Sequence, residues 1–412
     1  MAKKNLFLKY FLQFFSGAFV AQFLGLLISP IISRIYTPQD FAFFTLYLQI
    51  LHPLTILSSL SLFILIPKHK DSNLNPIIFQ ISILFSVFFS ILISIEGSFR
   101  VYNFDFEIFY ILWPFLAFSI VFTNFRAFYH FLCLSEKKFP LYTKSKISEG
   151  LSGSVGNIGF GLLGFNYLGL IYGNILGQLF FMNFILKTYF KEIKFILTFK
   201  KASNYFNLIL KQRKHITFQT INHVLEYALL LTFSILITKN SSSLIFGYFA
   251  FFLKIFITPL NLIADYYSQT TLNRVSDFKK NEDIILFLNK SSILIVVPSF
   301  LLIIIFYLWG PEIFSFIFGK KWEISGIIAK QYTLAAVSTF YIKSLQYLPN
   351  LKNKQDLYTI FSFLTYGVPV LIILFAINNE IKFIEIFQYI SWILFILAIL
   401  YYITLYRIFK SD

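Results

Sequence analysis

Long apolar runs constrain this chain more than any other feature. Of its 412 residues, 57% are hydrophobic and 13% are charged, whereas soluble domains carry about 25% charged residues. A helix needs roughly 20 apolar residues to cross a bilayer. The runs near that length are 11–33, 41–66, 74–95, 106–131, 143–164, 166–186, 216–238, 244–270, 285–309, 325–349, 357–377 and 384–406. A closed barrel would need short alternating segments. The chain is therefore predicted to be an all-α integral membrane protein with about twelve transmembrane helices.

A strongly basic segment, 187–214, divides these runs into two sets of six. It holds eight Lys and Arg residues and one acid, Glu192. Short loops rich in Lys and Arg are retained in the cytoplasm. A solvated nucleic-acid-binding helix is the alternative for such a segment, but its neighbours are all membrane spans, so no nucleic-acid partner is expected. The predicted domains are an N-terminal six-helix lobe (1–186), a basic cytoplasmic linker (187–215) and a C-terminal six-helix lobe (216–412) around a central cavity.

Basic residues outside the spans set the predicted orientation. With the N-terminus inside, cytoplasmic segments carry 24 Lys and Arg residues and external segments carry 6. This bias predicts a multi-pass protein with both termini in the cytoplasm. The first apolar run resembles a signal peptide, but it is too long and no small-residue cleavage site ends it, so we expect it to remain as a span.

The chain offers little material for soluble catalysis or metal binding. Its longest external segments, 96–105 and 310–324, are short, so an active site would have to lie within the membrane. Cys133 is the single cysteine, which excludes an intrachain disulfide, and it is expected to be an apolar filler. We expect no enzyme, no catalytic residue, no metal and no cofactor.

Glycines predict one close helix contact. Gly169, Gly173 and Gly177 recur every four residues, which places them on one face of the sixth span. Absent side chains there allow a neighbouring helix to approach, so we expect the fifth and sixth spans to pack closely. The glycines of the fifth span lack the Lys-Ser/Thr ending that a phosphate-binding loop requires.

Charged residues within the spans mark candidate sites, because each costs a few kcal/mol at mid-depth unless it faces water or a partner. The bases are Arg126, Lys254, Lys290, Lys330 and Lys343; the acids are Glu149, Glu226 and Asp265. Lys290 and Lys330 lie near span ends, where a lysine can reach the interface. Lys254 lies about 15 Å into its span at 1.5 Å per residue, and Glu226 lies equally deep from the other side. They are expected to form either a structural ion pair or part of a hydrated cavity.

A weak internal repeat extends this candidate site to the first half. An offset of 205 residues aligns 33–50 with 238–255, pairs Gln49 with Lys254 and brings Pro53 within one position of Pro259. Transporters often bind substrate where such repeats meet. His52 is either part of that site or a buried, hydrogen-bonded histidine at a kink. The candidate cavity residues are Lys254, Arg126, Lys343, Arg34, Gln22 and Gln49, and the candidate coupling residues for H⁺ or Na⁺ are Glu226, Asp265 and His52.

Two motifs lie outside the spans. The first is Arg-Ile-Tyr-Thr-Pro-Gln-Asp-Phe at 34–41, and the second is Gly-Pro-Glu-Ile-Phe at 310–314 followed by Phe-Gly-Lys-Lys-Trp at 318–322. By composition the second is a short external turn and interfacial helix anchored by Trp322. Together with Gly-Leu-Ile-Tyr-Gly at 169–173 and Lys254 before Pro259, these motifs resemble the polysaccharide-transporter branch of the multidrug/oligosaccharidyl-lipid/polysaccharide flippase superfamily, which includes Wzx-type O-antigen flippases. Ala42 stands where that family has Gly.

The resemblance implies a twelve-helix, two-lobed bundle that works by alternating access in the cell inner membrane. Its implied cargo is an undecaprenyl-diphosphate-linked oligosaccharide, and its implied partners are membrane lipid and polysaccharide polymerase and chain-length proteins. A lipid II-type flippase remains an alternative because its cargo shares the diphosphate. A drug exporter would prefer cationic cargo, which the excess of bases within the spans disfavours. An O-antigen polymerase or membrane glycosyltransferase would need a substantial external loop.

Overall fold

The structure, a computed structural model, describes residues 20, 22–66, 74–100, 107–196, 202–240, 242–275, 278, 280–352, 354–379, 381 and 383–410. Within them every regular element is helical. The α-helices are α1 (Gln22–Ile35), α2 (Pro38–Ser59), α3 (Leu74–Phe99), α4 (Glu107–Ser135), α5 (Phe139–Leu162), α6 (Asn166–Ile196), α7 (Ala202–Lys211), α8 (Arg213–Asn240), α9 (Ser243–Phe252), α10 (Thr258–Val275), α11 (Asn281–Phe318), α12 (Glu323–Ser344), α13 (Gln355–Asn378) and α14 (Phe383–Lys410). Helices satisfy backbone groups internally, as a bilayer requires.

The predicted all-α membrane fold is confirmed. In the described residues, nine helical segments are long and apolar enough to cross a membrane. One of them, Ser243–Ser268, joins α9 and α10 through a π turn. The remaining predicted spans correspond to α1, α5 and α12. The apolar content of α5 and α12 is lower because both helices carry charged side chains. These include Lys146 and Glu149 in α5 and Lys330 in α12.

One helix was not predicted. α7 lies within the basic segment that the sequence suggested to be a linker. Its apolar residues are spaced for a short amphipathic helix: Leu208 is buried, whereas Phe206 and Leu210 are exposed. Ten residues are too few to cross a bilayer, so hydropathy over a 20-residue window does not register such a helix.

Two other boundaries differ from the prediction. The apolar run 41–66 is not one helix, because α2 ends at Ser59 and both Leu60 and Ser61 have positive φ before a 3₁₀ turn at Leu62–Leu65. α11 continues through the Gly-Pro motif to Phe318, with non-helical backbone at Trp309.

The expectation that Trp322 anchors an interfacial helix was wrong. Its side chain is fully buried, at 0% exposure. It lies in a 3₁₀ turn, Lys320–Trp322, between α11 and α12. Composition identified a tryptophan near a span end, but it could not show that aromatic neighbours from distant parts of the chain enclose the ring.

The described residues form two compact units. Unit 1 comprises those within Met1–Tyr36 and Phe43–Ala228; unit 2 comprises those within Thr37–Ala42 and Leu229–Asp412. In unit 1, α5 packs along α6 and α3 packs on α4. In unit 2, α12 is central and packs against α9, α10, α11 and α14. Unit 2 therefore includes the first turn of α2, although almost 190 residues separate this turn from the rest of the unit in the sequence.

The predicted close packing of the fifth and sixth spans is confirmed. A Cβ atom on Gly173 would overlap the Asn157 side chain and lie 2.7 Å from the Asn157 backbone nitrogen. A Cβ atom on Gly177 would lie 2.8 Å from the carbonyl oxygen of Glu149. Both contacts would be with backbone atoms of α5, which cannot easily move aside. The two helices can therefore pack this closely only because residues 173 and 177 have no side chains.

We predict that Gly173→Ala destabilises the protein. The added methyl forces the α5 backbone away, and overpacking of this kind costs about 1–3 kcal/mol. The matched control is Gly159→Ala, because a Cβ atom at Gly159 meets nothing within 4 Å. Thermal unfolding in detergent should show a lower melting temperature for the first variant and no decrease for the second. Equal melting temperatures would contradict the packing argument.

Membrane orientation is a separate prediction. The distribution of basic residues predicts that α7 lies in the cytoplasm and the turn Lys320–Trp322 outside. Lys211 and Lys320 are both exposed, so single cysteines at these positions in a Cys133→Ala background can be probed with an impermeant thiol reagent. We expect labelling at 320 in intact cells and at 211 only after permeabilisation. Labelling at 211 in intact cells would overturn the orientation.

Candidate functional site

The first motif builds the start of α2 through a capping box. Thr37 donates two hydrogen bonds to Oδ2 of Asp40, from its hydroxyl at 2.7 Å and from its N–H at 2.8 Å. The N–H of Asp40 donates back to the Thr37 hydroxyl at 3.3 Å. Pro38 occupies the first helical position, where no N–H is needed. This arrangement fixes the entry of the chain into α2 and places Phe41 in its first turn.

Phe41 lies in an aromatic cluster of unit 2 that consists of Phe41, Phe251, Phe318 and Trp322. The Phe41 ring is nearly perpendicular to the rings of Phe251 and Trp322, with centroids 5.0 Å and 5.3 Å away. Phe251 stacks on Trp322 at 3.9 Å and contacts Phe318 edge-on at 5.0 Å. Such edge-to-face and stacked arrangements are the favoured geometries of aromatic pairs. The cluster therefore joins the first motif, α9 and the second motif.

Backbone contacts hold the same region together. A Cβ atom on Gly247 would overlap the carbonyl of Pro38, so α9 approaches the start of α2 only because this residue is glycine. The hydroxyl of Ser325, at the start of α12, donates to the carbonyl oxygen of Tyr248 at 2.9 Å. These contacts fix the position of the first turn of α2 within unit 2.

Lys254 projects from a π turn, Leu253–Ile257. Pro259 lacks an N–H for the carbonyl four residues earlier, and its ring crowds that carbonyl, which explains why the helix widens here. The hydroxyl of Thr258 donates to the carbonyl of Leu253 at 3.1 Å and closes the widened turn. π turns of this kind occur frequently at functional sites.

The Lys254 side chain is half-buried and lies over an aromatic ring. Its Nζ atom is 4.9 Å from the ring centroid of Phe41, within the range of a cation–π interaction. Among the described residues of unit 2, no carboxylate lies within ion-pair distance of this ammonium group. Its charge is therefore held in position by a neutral ring.

Two other predicted site residues of unit 2 lie together. Nζ of Lys343 on α12 is 3.4 Å from Oδ1 of Asp265 on α10. Both had been selected from the sequence, the lysine for cargo and the acid for ion coupling. Lys330, which was expected near a span end, has its Nζ atom 4.9 Å from the ring centroid of Tyr307.

In unit 1, Arg126 belongs to a charge cluster. One carboxylate oxygen of Glu149 accepts a hydrogen bond from Arg126 at 2.7 Å, and the other accepts one from Lys146 at 2.8 Å. All three side chains are less than a third exposed. The cluster carries two positive charges and one negative charge, so it remains net positive. The sequence reasoning missed Lys146, because a lysine three residues from a span boundary was counted with the cytoplasmic segment.

Gln49 and His52 lie on α2 within unit 1. Gln49 is 4% exposed, and neither atom of its amide has a hydrogen-bond partner among the described residues. Because Pro53 has no N–H, the backbone carbonyl of Gln49 lacks its usual helical hydrogen bond. This carbonyl is the third polar group at this point of α2, beside the two atoms of the Gln49 amide. The His52 ring lies 5.1 Å from that of Tyr227, centroid to centroid.

The remaining predicted residues are more dispersed. Gln22 begins α1, and Arg34, near its end, is exposed and donates to the carbonyl of Pro30 at 2.8 Å. Glu226 lies in unit 1, with Oε2 3.9 Å from Nδ1 of His223. Lys254 lies in unit 2. No group of three or more potential metal ligands (His, Cys, Asp, Glu) was found in the described parts of the chain.

One charged group beside the aromatic cluster lies outside the spans. Partial burial lowers the pKa of Lys321, and the nearby carboxylate of Asp40 acts in the opposite direction. The capping residue of α2 thus also interacts electrostatically with the turn that carries Trp322. The two motifs are linked by charge as well as by ring packing.

Comparison with solved structures shows which known folds this arrangement resembles. The chain has the fold of the lipid II flippase MurJ in an inward closed conformation (TM-score 0.67, 17% identity, 95% of this chain and 86% of that chain covered). It is similar to a MOP superfamily transporter from Pyrococcus furiosus (0.65, 13%, 98% and 96%) and to the Vibrio cholerae MATE transporter VcmN (0.61, 12%, 99% and 97%). At these identities the likeness concerns the fold.

Sequence comparison identifies the family. Among curated proteins, no sequence matches significantly. Residues 31–326, which include both motifs, α2 and Lys254, match the family model described as "Polysaccharide biosynthesis protein". The resemblance recognised from the motifs is thereby confirmed, and the chain belongs to this family of polysaccharide biosynthesis proteins, with the fold of MOP superfamily transporters.

Proposed function

We propose that this protein is a flippase for undecaprenyl-diphosphate-linked oligosaccharides, such as O-antigen units or similar surface polysaccharide precursors. It would move them from the cytoplasmic to the periplasmic leaflet of the inner membrane by alternating access around a central cavity. The observation that carries the proposal is Lys254, a basic residue at mid-span whose charge no carboxylate of the described unit 2 neutralises.

The chemistry of the cargo fits this residue. A diphosphate is anionic, and an ammonium group attracts it more strongly where the dielectric constant is low. Two other bases within the membrane are less available, because Arg126 shares the carboxylate of Glu149 and Lys343 lies beside Asp265. Lys290 and Lys330 lie near span ends, where a lysine can reach the interface. The polyprenyl tail can remain in the bilayer while the sugar crosses.

The alternatives differ in cargo. A lipid II-type flippase would use the same diphosphate chemistry, and one protein of similar fold is described as a lipid II flippase. A drug exporter resembling the MATE proteins would take cationic compounds, which an uncompensated lysine repels. Flanking glycosyltransferase and polymerase genes would favour an O-antigen cargo, and such polymerase and chain-length proteins are the partners we propose. Flanking cell-wall genes would favour lipid II.

Ion coupling is the second part of the proposal. Glu226, Asp265 and His52 are ionisable groups within spans, and one of them is proposed to carry H⁺ or Na⁺ in each cycle. We expect Glu226→Gln or Asp265→Asn to reduce flipping severalfold in a strain that depends on this protein. Because Asp265 lies beside Lys343, the double variant Asp265→Asn, Lys343→Gln is the control. If both single variants flip at the wild-type rate, neither acid couples transport to an ion. If the double variant restores the rate that Asp265→Asn loses, Asp265 serves to pair with Lys343 and does not couple transport to an ion.

Lys254→Ala tests the proposed substrate site. In a flippase-null strain, we expect this variant to lose at least nine-tenths of surface polysaccharide export, since the diphosphate loses its countercharge. An immunoblot should show that the variant protein is expressed at the normal level. Lys254→Arg should retain part of the activity, because the charge survives while the donor geometry changes. Lys290→Ala, at an exposed lysine of α11, should export normally.

A second variant separates binding from charge neutralisation. If Lys254 serves only to neutralise Glu226, the double change Lys254→Ala, Glu226→Ala should restore the export that either single change abolishes. Rescue by the double variant, or normal export by Lys254→Ala alone, would show that Lys254 does not bind the cargo.

A further inference from the structure

Phe41 is the only described residue seen to hold the Lys254 ammonium group, with 4.9 Å between Nζ and its ring centroid. We propose that Phe41 is a positioning residue for Lys254, so that the first turn of α2 determines how well unit 2 recognises a diphosphate. This inference rests on the proposed function. Phe41 itself need not contact the cargo.

A ring and a carboxylate would hold the lysine with different consequences. A carboxylate cancels the positive charge and occupies the donors that an anion needs. The negative face of an aromatic ring attracts the ammonium group through its quadrupole but leaves the net charge intact. Lys254 is thus oriented within the membrane and remains able to attract an anionic group.

The ring is well placed for such a role because it cannot move freely. Phe41 is 1% exposed and lies edge-on to Phe251 and Trp322. Its backbone follows directly from the capping box at Thr37 and Asp40. A long lysine side chain on a widened helical turn has many rotamers, whereas this ring has few, so the ring sets the position of the pair.

The test changes the ring's electrostatics and keeps its shape. Phenylalanine at 41 is replaced by its mono-, di- and trifluorinated analogues through nonsense suppression, because each fluorine weakens the negative potential of the ring face. The purified full-length chain in detergent is titrated with undecaprenyl diphosphate, and with undecaprenol as the uncharged control. We expect affinity for the diphosphate to fall stepwise, by about five- to thirtyfold for the trifluorinated variant, while affinity for undecaprenol stays constant.

Phe251 provides the matched control position. Its ring belongs to the same cluster and stacks on Trp322, but the lysine lies over Phe41. Fluorination at 251 should leave diphosphate affinity unchanged. In a Lys254→Ala background, fluorination at 41 should also have no effect, because the cation is gone. Melting temperatures of the fluorinated variants should match that of the wild type.

The outcomes distinguish this inference from the proposed function. If Lys254→Ala binds the diphosphate as tightly as the wild type, the proposed function fails. If Lys254→Ala loses that affinity but the fluorinated series at 41 is flat, the lysine binds and the positioning role is refuted. Loss of affinity in parallel with loss of thermal stability, or an equal loss for undecaprenol, would identify Phe41 as a packing residue and refute the role as well.

Discussion

The energetic penalty for a charge within the bilayer organises the functional parts of this molecule. An ionisable side chain there is expensive unless it is paired, held by another group or able to reach the interface. The described charges follow this rule in different ways. Arg126 and Lys146 share one carboxylate, Lys343 lies beside an acid, and Lys254 lies over a ring. Of these three arrangements, the last leaves the positive charge without a neighbouring acid among the described residues of its unit. Lys330 also lies over a ring, that of Tyr307, but near a span end, so Lys254 is the strongest candidate for an anionic cargo.

Prolines contribute a second physical theme. Pro53 and Pro259 each deprive the carbonyl four residues earlier of its helical hydrogen bond. The residue at or next to that carbonyl in the sequence is polar in both cases: Gln49 on α2 and Lys254 in the π turn. The amide of Gln49 is buried without a hydrogen-bond partner in the part of the chain that the structure describes. The weak sequence repeat paired the same two residues. A helix that is already irregular can present backbone and side-chain polar groups at one depth, which a regular apolar helix cannot do.

The sequence predicted the features that depend on local composition. Twenty-residue hydropathy identified the long helices, and glycines spaced four apart predicted the α5–α6 contact. The motifs identified the family. What depends on distant contacts was not predictable. Burial of Trp322 involves rings that come from α2 and α9, and the break at Leu60 and Ser61 lies within an unbroken apolar run. The pairing of Lys343 with Asp265 was hidden because counting charges does not reveal which of them meet.

The motif residues also explain why the resemblance specifies a fold better than a cargo. Thr37 and Asp40 cap α2. Gly247 allows α9 to approach the first turn of α2, and Trp322 packs against Phe41. None of these roles involves a sugar. Their combined effect is to hold one ring beneath Lys254. The recognition that we propose for this pair would suit any lipid-linked diphosphate equally well. Under the proposed function, selection among oligosaccharides must therefore depend on residues outside the motifs, where aromatic and polar side chains can differ without disturbing the aromatic cluster or the lysine.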